Sequence, residues 1–195
     1  MSADPPFSPE LVLYGYQVGV FPMDDGEGNI LWFSPDPRCV IEFDDLRVSK
    51  SLRQRIRRNE FDIRIDTVFR DVIATCAVRP EGTWISDQIV DVYSRLHEAG
   101  FAHSVEAWRD DELVGGLYGV AIGGAFFGES MFHRATDASK VALVALIERL
   151  RERGYTLLDS QWTTPHLTRM GASEISRDEY LARLREALRL ECRFA

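Results

Sequence analysis

Cysteine is scarce in this chain of 195 residues: Cys39, Cys76 and Cys192 are odd in number, widely spaced and form no C-x-x-C pair. That argues against a disulfide framework and a cysteine-built zinc site, and it suits a reducing compartment. Long apolar runs are missing too; none approaches the roughly 18–20 residues that cross a bilayer. The first residues, Met1-Ser-Ala-Asp-Pro-Pro6, bring no basic segment followed by an apolar one, so no secretory signal is read there and the expected location is the cytoplasm. The histidines, at 97, 103, 133 and 166, lack the short spacings of a metal site, and neither G-x-x-x-x-G-K-[ST] nor G-x-S-x-G occurs. No metal and no other cofactor is expected.

Basic charge is also rare at first. Residues 1–46 hold nine acidic side chains and a single basic one, Arg38, within a chain of net charge −8. Such a balance argues against broad nucleic-acid binding. Residues 47–58 reverse it, with Arg47, Lys50, Arg53, Arg55, Arg57 and Arg58 and no acid. This run is either a solvated helix face or a compact phosphate-contact patch on an otherwise acidic protein.

What is present is a chain able to bury a core, 45% hydrophobic and 11% aromatic. The first 45 residues are broken by Pro5-Pro6, Gly26-Glu-Gly28-Asn29 and Pro35-Asp-Pro37, so they form a small N-terminal unit that must fold against a larger domain, 46–195. Val48, Leu52 and Ile56, four apart, predict a helix over 49–58. A strand over 61–65 follows, then a helix that Asp66 would cap and a helix over 86–98 that Gly100 would stop. His103–Trp108, Leu113–Ile122 and Ala125–Phe132 read as a meander with turns at Asp110-Asp111 and Gly123-Gly124. Thr136, Asp137 and Ser139 offer caps for a helix over 140–153, apolar on most of its circumference and so buried between layers. A strand over 155–161 and a helix over 179–190 complete an α+β chain with a mixed central sheet.

Three groups of residues can carry chemistry. Asp159 and Gln161, two apart on a strand, share a face; together they either position a nucleophile and its proton or simply bond each other at a strand end. Glu129 interrupts an apolar strand, where burial is costly without a partner or a role, unless it faces solvent. Trp32, Trp84, Phe126 and Phe127 are either core or, next to glycine and proline turns, the wall of a pocket. His133 and His166 lie near these groups without a serine or cysteine partner and read as structural or supporting residues.

The ordered set of short motifs Tyr16-Gln-Val-Gly-Val-Phe-Pro22, Leu31-Trp-Phe-Ser-Pro-Asp-Pro-Arg38, Gly82-Thr-Trp-Ile85, Ala102-His-Ser-Val-Glu106, Gly115-Gly-Leu-Tyr-Gly-Val120, Phe127-Gly-Glu-Ser-Met-Phe132, Ala138-Ser-Lys140, Leu158-Asp-Ser-Gln161 and Met170-Gly-Ala-Ser-Glu-Ile175 resembles the bacterial leucyl/phenylalanyl-tRNA–protein transferases. The resemblance covers most of positions 14–181. It implies an acetyltransferase-like (GNAT) domain behind a small N-terminal domain. It also implies cofactor-free transfer of Leu, Phe and, less efficiently, Met from aminoacyl-tRNA to proteins that begin with Arg or Lys, which marks them for degradation.

By motif, Asp159, Gln161 and Glu129 fall on catalytic positions, and Trp32, Trp84, Phe126 and Gly128 on the aminoacyl-adenosine pocket. Ser130 and Thr164 join the substrate-binding set, with Leu150 as the expected floor of the amino-acid pocket. Lys50, Arg53, Arg57 and Arg58 match the tRNA-contacting segment. His133, where serine is usual, and Trp162-Thr-Thr-Pro165 depart from the family pattern. The rival readings are a CoA-dependent N-acetyltransferase, although no R/Q-x-x-G-x-G/A precedes the Lys140 helix, and a module that only binds N-termini or tRNA ends.

Overall fold

The computed structural model describes residues 7–80 and 82–195. Helix α1 (Pro9–Gln17), capped by Ser8, leads into a two-stranded hairpin of β1 (Phe21–Asp24) and β2 (Ile30–Phe33). The chain then adds β3 (Arg38–Ile41), α2 (Lys50–Arg57), β4 (Asp62–Ile65), α3 (Phe69–Ala77), α4 (Asp87–Glu98), β5 (Ala102–Arg109), β6 (Glu112–Ile122) and β7 (Ala125–His133). It closes with α5 (Ala138–Glu152), β8 (Leu157–Gln161), α6 (Pro165–Arg169), β9 (Ala172–Ile175) and α7 (Arg177–Ala187). Seven strands form one sheet in the order β4-β5-β6-β7-β8-β3-β9, antiparallel except for the parallel pair β7–β8 that α5 connects. The expected α+β chain with a mixed sheet and flanking helices is what the structure contains.

The sheet separates two apolar layers. On one face, α1, α3, α4 and α7 pack Val12, Ile73, Ile89, Leu96 and Leu184 into a core. On the other, α5 buries Val141, Leu143, Leu146, Ile147 and Leu150 with Leu52 of α2 beside them. The all-round apolar pattern of α5 reflects this position between the sheet and α2. β3 belongs to the first 45 residues and nevertheless runs inside the large sheet, bonded to both β8 and β9, because all four of its residues are buried there.

Two expected caps are not formed. Asp66 takes a left-handed φ of +59° and accepts from the Ser104 N–H (2.8 Å) and His103 Nδ1 (2.7 Å), so α3 starts three residues later at Phe69. Asp137, also left-handed, binds Lys140 and Arg55 instead of the α5 amides. Side-chain and strand partners, among them Arg55 from α2 and His103 from β5, outcompete the local helix amides. Among the described residues, no helix is long and apolar enough to cross a membrane, and no cluster of three His, Cys, Asp or Glu residues is arranged to hold a metal ion.

Candidate active site

Strands β7 and β8 pair from Ala125–Leu157 to Phe127–Asp159 and no further. Beyond that point they separate, and a cavity of about 710 Å³ opens in the gap. The separation coincides with a β-bulge in β7. Tyr118 pairs with Ser130 and Gly119 with Gly128, which leaves Glu129 as the extra residue. A bulge bends its strand and re-aims a side chain, here the carboxylate of Glu129. Gly119 permits it, since a Cβ there would lie 2.3 Å from the Phe127 carbonyl oxygen and 2.4 Å from the Phe126 ring.

Glu129 meets an amide and a cluster of tyrosine hydroxyls. The Gln161 amide N–H donates to its Oε1 at 2.8 Å, and the Tyr93 hydroxyl reaches Oε2 at 3.4 Å. The Tyr93 and Tyr16 hydroxyls are 2.5 Å apart, and Tyr118 stands near with its hydroxyl buried and unbonded. Loss of water pushes the Glu129 carboxyl up to about 8, with the charge of Asp159 adding to the shift and the bonds from Tyr16 and Tyr93 opposing it. The same dehydration holds the three tyrosines well above their ordinary range. A group that titrates near neutrality inside a cavity is equipped to exchange protons.

Asp159 is arranged differently. Its Oδ1 accepts from Arg38 Nε (2.9 Å) and the Gln161 backbone N–H (2.8 Å); its Oδ2 accepts from Arg38 Nη2 (2.6 Å) and the Tyr180 hydroxyl (2.8 Å). A carboxylate offers about four lone-pair positions, and all are engaged. Arg38 is itself without exposed surface, held between the rings of Phe21 (4.7 Å) and Tyr180 (4.3 Å). Asp159 and Gln161 do not present a common face to the cavity. The β3–β8 register shifts at Cys39–Val40, and Gln161 takes a φ of +64° that the Asp159–N–H bond stabilises. Gln161 lines the cavity and Asp159 does not. The bond from Asp159 reaches the Gln161 backbone and leaves the side-chain amide free for Glu129.

Of the expected pocket residues, Trp84, Gly128, Ser130 and Thr164 line the cavity, and His133 and His166 join them. Three do not. Phe126 lies where β7 and β8 are still paired and points to the α5 side, fully buried against Phe194 (5.3 Å). Trp32 lies on the hairpin over Gly15 and Phe7. Leu150 is buried near the start of β8, whereas Leu143 and Leu146, earlier on α5, reach the gap and form its apolar wall with Leu158.

Sequence reasoning misses Arg38, Tyr16, Tyr93, Tyr118 and Tyr180. Arg38 alone carries a signal, as the one base in an acidic segment. The tyrosines are scattered along the chain and meet only through folding.

The basic run lies apart from the cavity on α2. Lys50, Arg53, Gln54 and Arg57 surround a surface hollow of about 310 Å³, and Arg58 follows at the helix end. Among the described residues, Lys50, Arg53, Arg57 and Arg58 have no ion-pair partner, whereas Arg55 is held by Glu60 (2.6 Å) and Asp137 (3.2 Å).

Comparison with known proteins gives a consistent result. A family model described as leucyl/phenylalanyl-tRNA protein transferase matches residues 40–185, and the model of that family's N-terminal domain matches residues 6–36. The leucyl/phenylalanyl-tRNA–protein transferase of Herpetosiphon aurantiacus is 55% identical over 188 residues, 96% of this chain and 97% of that one. The protein of the same name from Gloeobacter violaceus is 54% identical over the same shares. Among solved structures, L-PGS from Bacillus licheniformis is similar at a TM-score of 0.47 and 12% identity, over 68% of this chain and 49% of that one. A GCN5-related N-acetyltransferase from Kribbella flavida is similar at 0.45 and 12%, over 73% and 55%.

Proposed function

Because the chain belongs to the leucyl/phenylalanyl-tRNA protein transferase family and is an aminoacyltransferase, we propose that it moves Leu or Phe, and Met less efficiently, from the 3′ end of a charged tRNA to the α-amine of proteins beginning with Arg or Lys. The product carries a destabilising N-terminus that commits it to regulated degradation, and the reaction takes place in the cytoplasm. The observation that carries this reading is a carboxyl pushed up to about 8, bonded to an amide side chain, in a cavity lined in part by leucines.

The chemistry follows from those groups. An α-ammonium has a pKa of about 7.7–8.0, so passing its proton to a carboxylate of similar basicity is nearly isoenergetic. Glu129 takes that proton, and the Gln161 side chain orients the neutral amine. The amine attacks the ester carbonyl, a C–N bond replaces the C–O bond, and one amine proton goes to the leaving 3′-oxygen. The leucine wall accommodates the apolar aminoacyl side chain. Ester-to-amide exchange runs downhill, so no nucleotide hydrolysis is required. Placement of amine and carbonyl within contact distance supplies much of the acceleration, with effective molarities of up to about 10⁵–10⁸ M.

The test is one incubation of labelled Leu-tRNA with a protein beginning with Arg and no other small molecule. Label that becomes acid-insoluble and base-stable supports transfer. Label that stays on tRNA, together with acetylation when acetyl-CoA is supplied, overturns it in favour of the rival acetyltransferase.

The cations on α2 that have no ion-pair partner among the described residues suit the phosphates of the acceptor arm. Neutralising Lys50, Arg53 or Arg57 singly should weaken Leu-tRNA and Phe-tRNA by similar factors. Each such change should lower the slope of log K against log salt by about 0.7–0.9, the share of one neutralised phosphate. A shallow wild-type slope of about two to four is expected for so small a patch. Filter binding across a salt series reads it, and a slope near zero would return the patch to solvent.

A further inference from the structure

Trp162 has no role in the chemistry described above. It follows Gln161, lines the same cavity and leaves 39% of its surface exposed. Its orientation is nevertheless held. Phe21 meets it at 4.9 Å and 86°, and Phe33 at 5.7 Å and 69°, both edge-to-face geometries that fix a ring plane. The two phenylalanines are themselves 6.2 Å apart and brace the indole together. Its exposed part borders the cavity.

Strand β1 joins this ring to Trp84. Phe21 supports Trp162, while the Asp24 N–H donates to the Trp84 carbonyl at 3.2 Å, and Met23 between them also lines the cavity. Two tryptophans distant in sequence thus border one wall, at a single short strand. The leucine wall already suits an apolar side chain. A flat, open, braced indole next to Gln161 suits a planar group attached close to the reacting carbonyl. In an aminoacyl-adenosine that group is the base.

Resting on the donor reading above, we propose that Trp162 is a substrate-binding residue that stacks on the adenine of the 3′-terminal adenosine. Base–aromatic stacking tolerates imperfect geometry and needs no hydrogen-bond partner, in keeping with an indole whose surroundings at the rim are chiefly aromatic.

The experiment uses the full-length protein, puromycin as the aminoacyl-adenosine probe, and three variants. Trp162→Leu keeps apolar bulk and removes the π-face, Trp162→Ala removes both, and Trp162→Phe restores a ring. Expected are a rise of about 5- to 150-fold in the puromycin inhibition constant for Leu and Ala, the range of a lost base stack. The KM for Leu-tRNA should rise in parallel, with kcat and the acceptor KM little changed, and Phe should recover most of the loss. Unchanged inhibition in Trp162→Leu, or a rise confined to the acceptor KM, overturns the assignment. Wild-type protein that transfers no label, or that puromycin does not inhibit, overturns the donor reading itself. Active, puromycin-sensitive wild type with an indifferent Trp162→Leu overturns only the role of Trp162.

Discussion

Arg38→Met should lower the melting temperature by about 6–20 °C and remove most of the transfer activity. The reason is the buried pair. Arg38 and Asp159 have no exposed surface and share two bonds, at 2.9 and 2.6 Å. Deleting one member of such a pair leaves a charge without compensation and costs about 3–5 kcal/mol, and a chain of this size loses about 2–4 °C per kcal/mol. Activity falls for a separate reason. With Arg38 gone, Asp159 no longer holds the Gln161 backbone in its left-handed conformation.

The two effects separate in the Asp159 variants. Asp159→Asn keeps an oxygen for the Gln161 N–H and should retain more single-turnover transfer than Asp159→Ala at matched folded fraction. Combined with Gln161→Ala, either variant should add little, because groups acting as a unit lose their shared effect once. Equal inactivity of the Asn and Ala variants near neutral pH, with Gln161 intact, would make Asp159 a proton acceptor and sink the positioning role.

Glu129→Gln should slow transfer by about 10²–10⁴-fold, the span typical of general acid–base catalysis, and change the shape of its pH profile. In the wild type the reaction needs one of two protons gone, from Glu129, titrating at about 8, or from an α-ammonium of pKa about 7.7–8.0, so kcat/KM for the acceptor rises with pH to a plateau. In Glu129→Gln the amine must arrive already neutral, so the rate rises only through the amine pKa. The deficit of the variant is then largest near neutral pH and shrinks above pH 8; a deficit constant across pH would show that Glu129 moves no proton.

Stability gives a second reading. Glu129 is raised from 4.5 to about 8, so the folded protein holds its proton after the unfolded chain has released it. Its contribution is fully present below pH 4.5 and lost as pH rises to about 8. The melting temperature of Glu129→Gln relative to wild type should therefore increase across that window and be flat outside it.

Much of this molecule is legible from local pattern. The helices at 50–57, 87–98 and 138–152, and the three-strand meander, follow from apolar spacing and from glycine and aspartate turns, which act within a few residues. Glu129 and Gln161 can be singled out because a polar side chain in an apolar strand is costly to bury, whatever the fold around it. Trp84, Gly128 and Ser130 stand within the quoted motifs, and those three and Thr164 line the cavity.

The errors have a common physical origin. Asp66 and Asp137 look like caps to their neighbours, but His103, Ser104 and Arg55 claim them from other elements and Lys140 from the first turn of α5. Phe126 has the right chemistry for a pocket and lies where β7 and β8 are still paired, and Leu150 is buried towards the end of α5; no period in the sequence marks where the gap begins.

Composition, periodicity and ordered motifs are enough to set most elements between residues 49 and 161, the last helix, the family and the acidic and amide residues available for chemistry, whereas α1, β1, β2, β3, α6 and β9 appear only in the structure. What those residues do depends on the folded arrangement. A register shift between β3 and β8 turns Gln161 towards the cavity while Asp159 stays on Arg38, and a bulge against Gly119 aims Glu129 at Gln161. Loss of water at that point then sets its proton affinity. Strand register, bulges and dehydration arise between segments far apart in the chain, and it is their meeting that leaves one carboxylate bonded to Arg38 and the other facing the cavity.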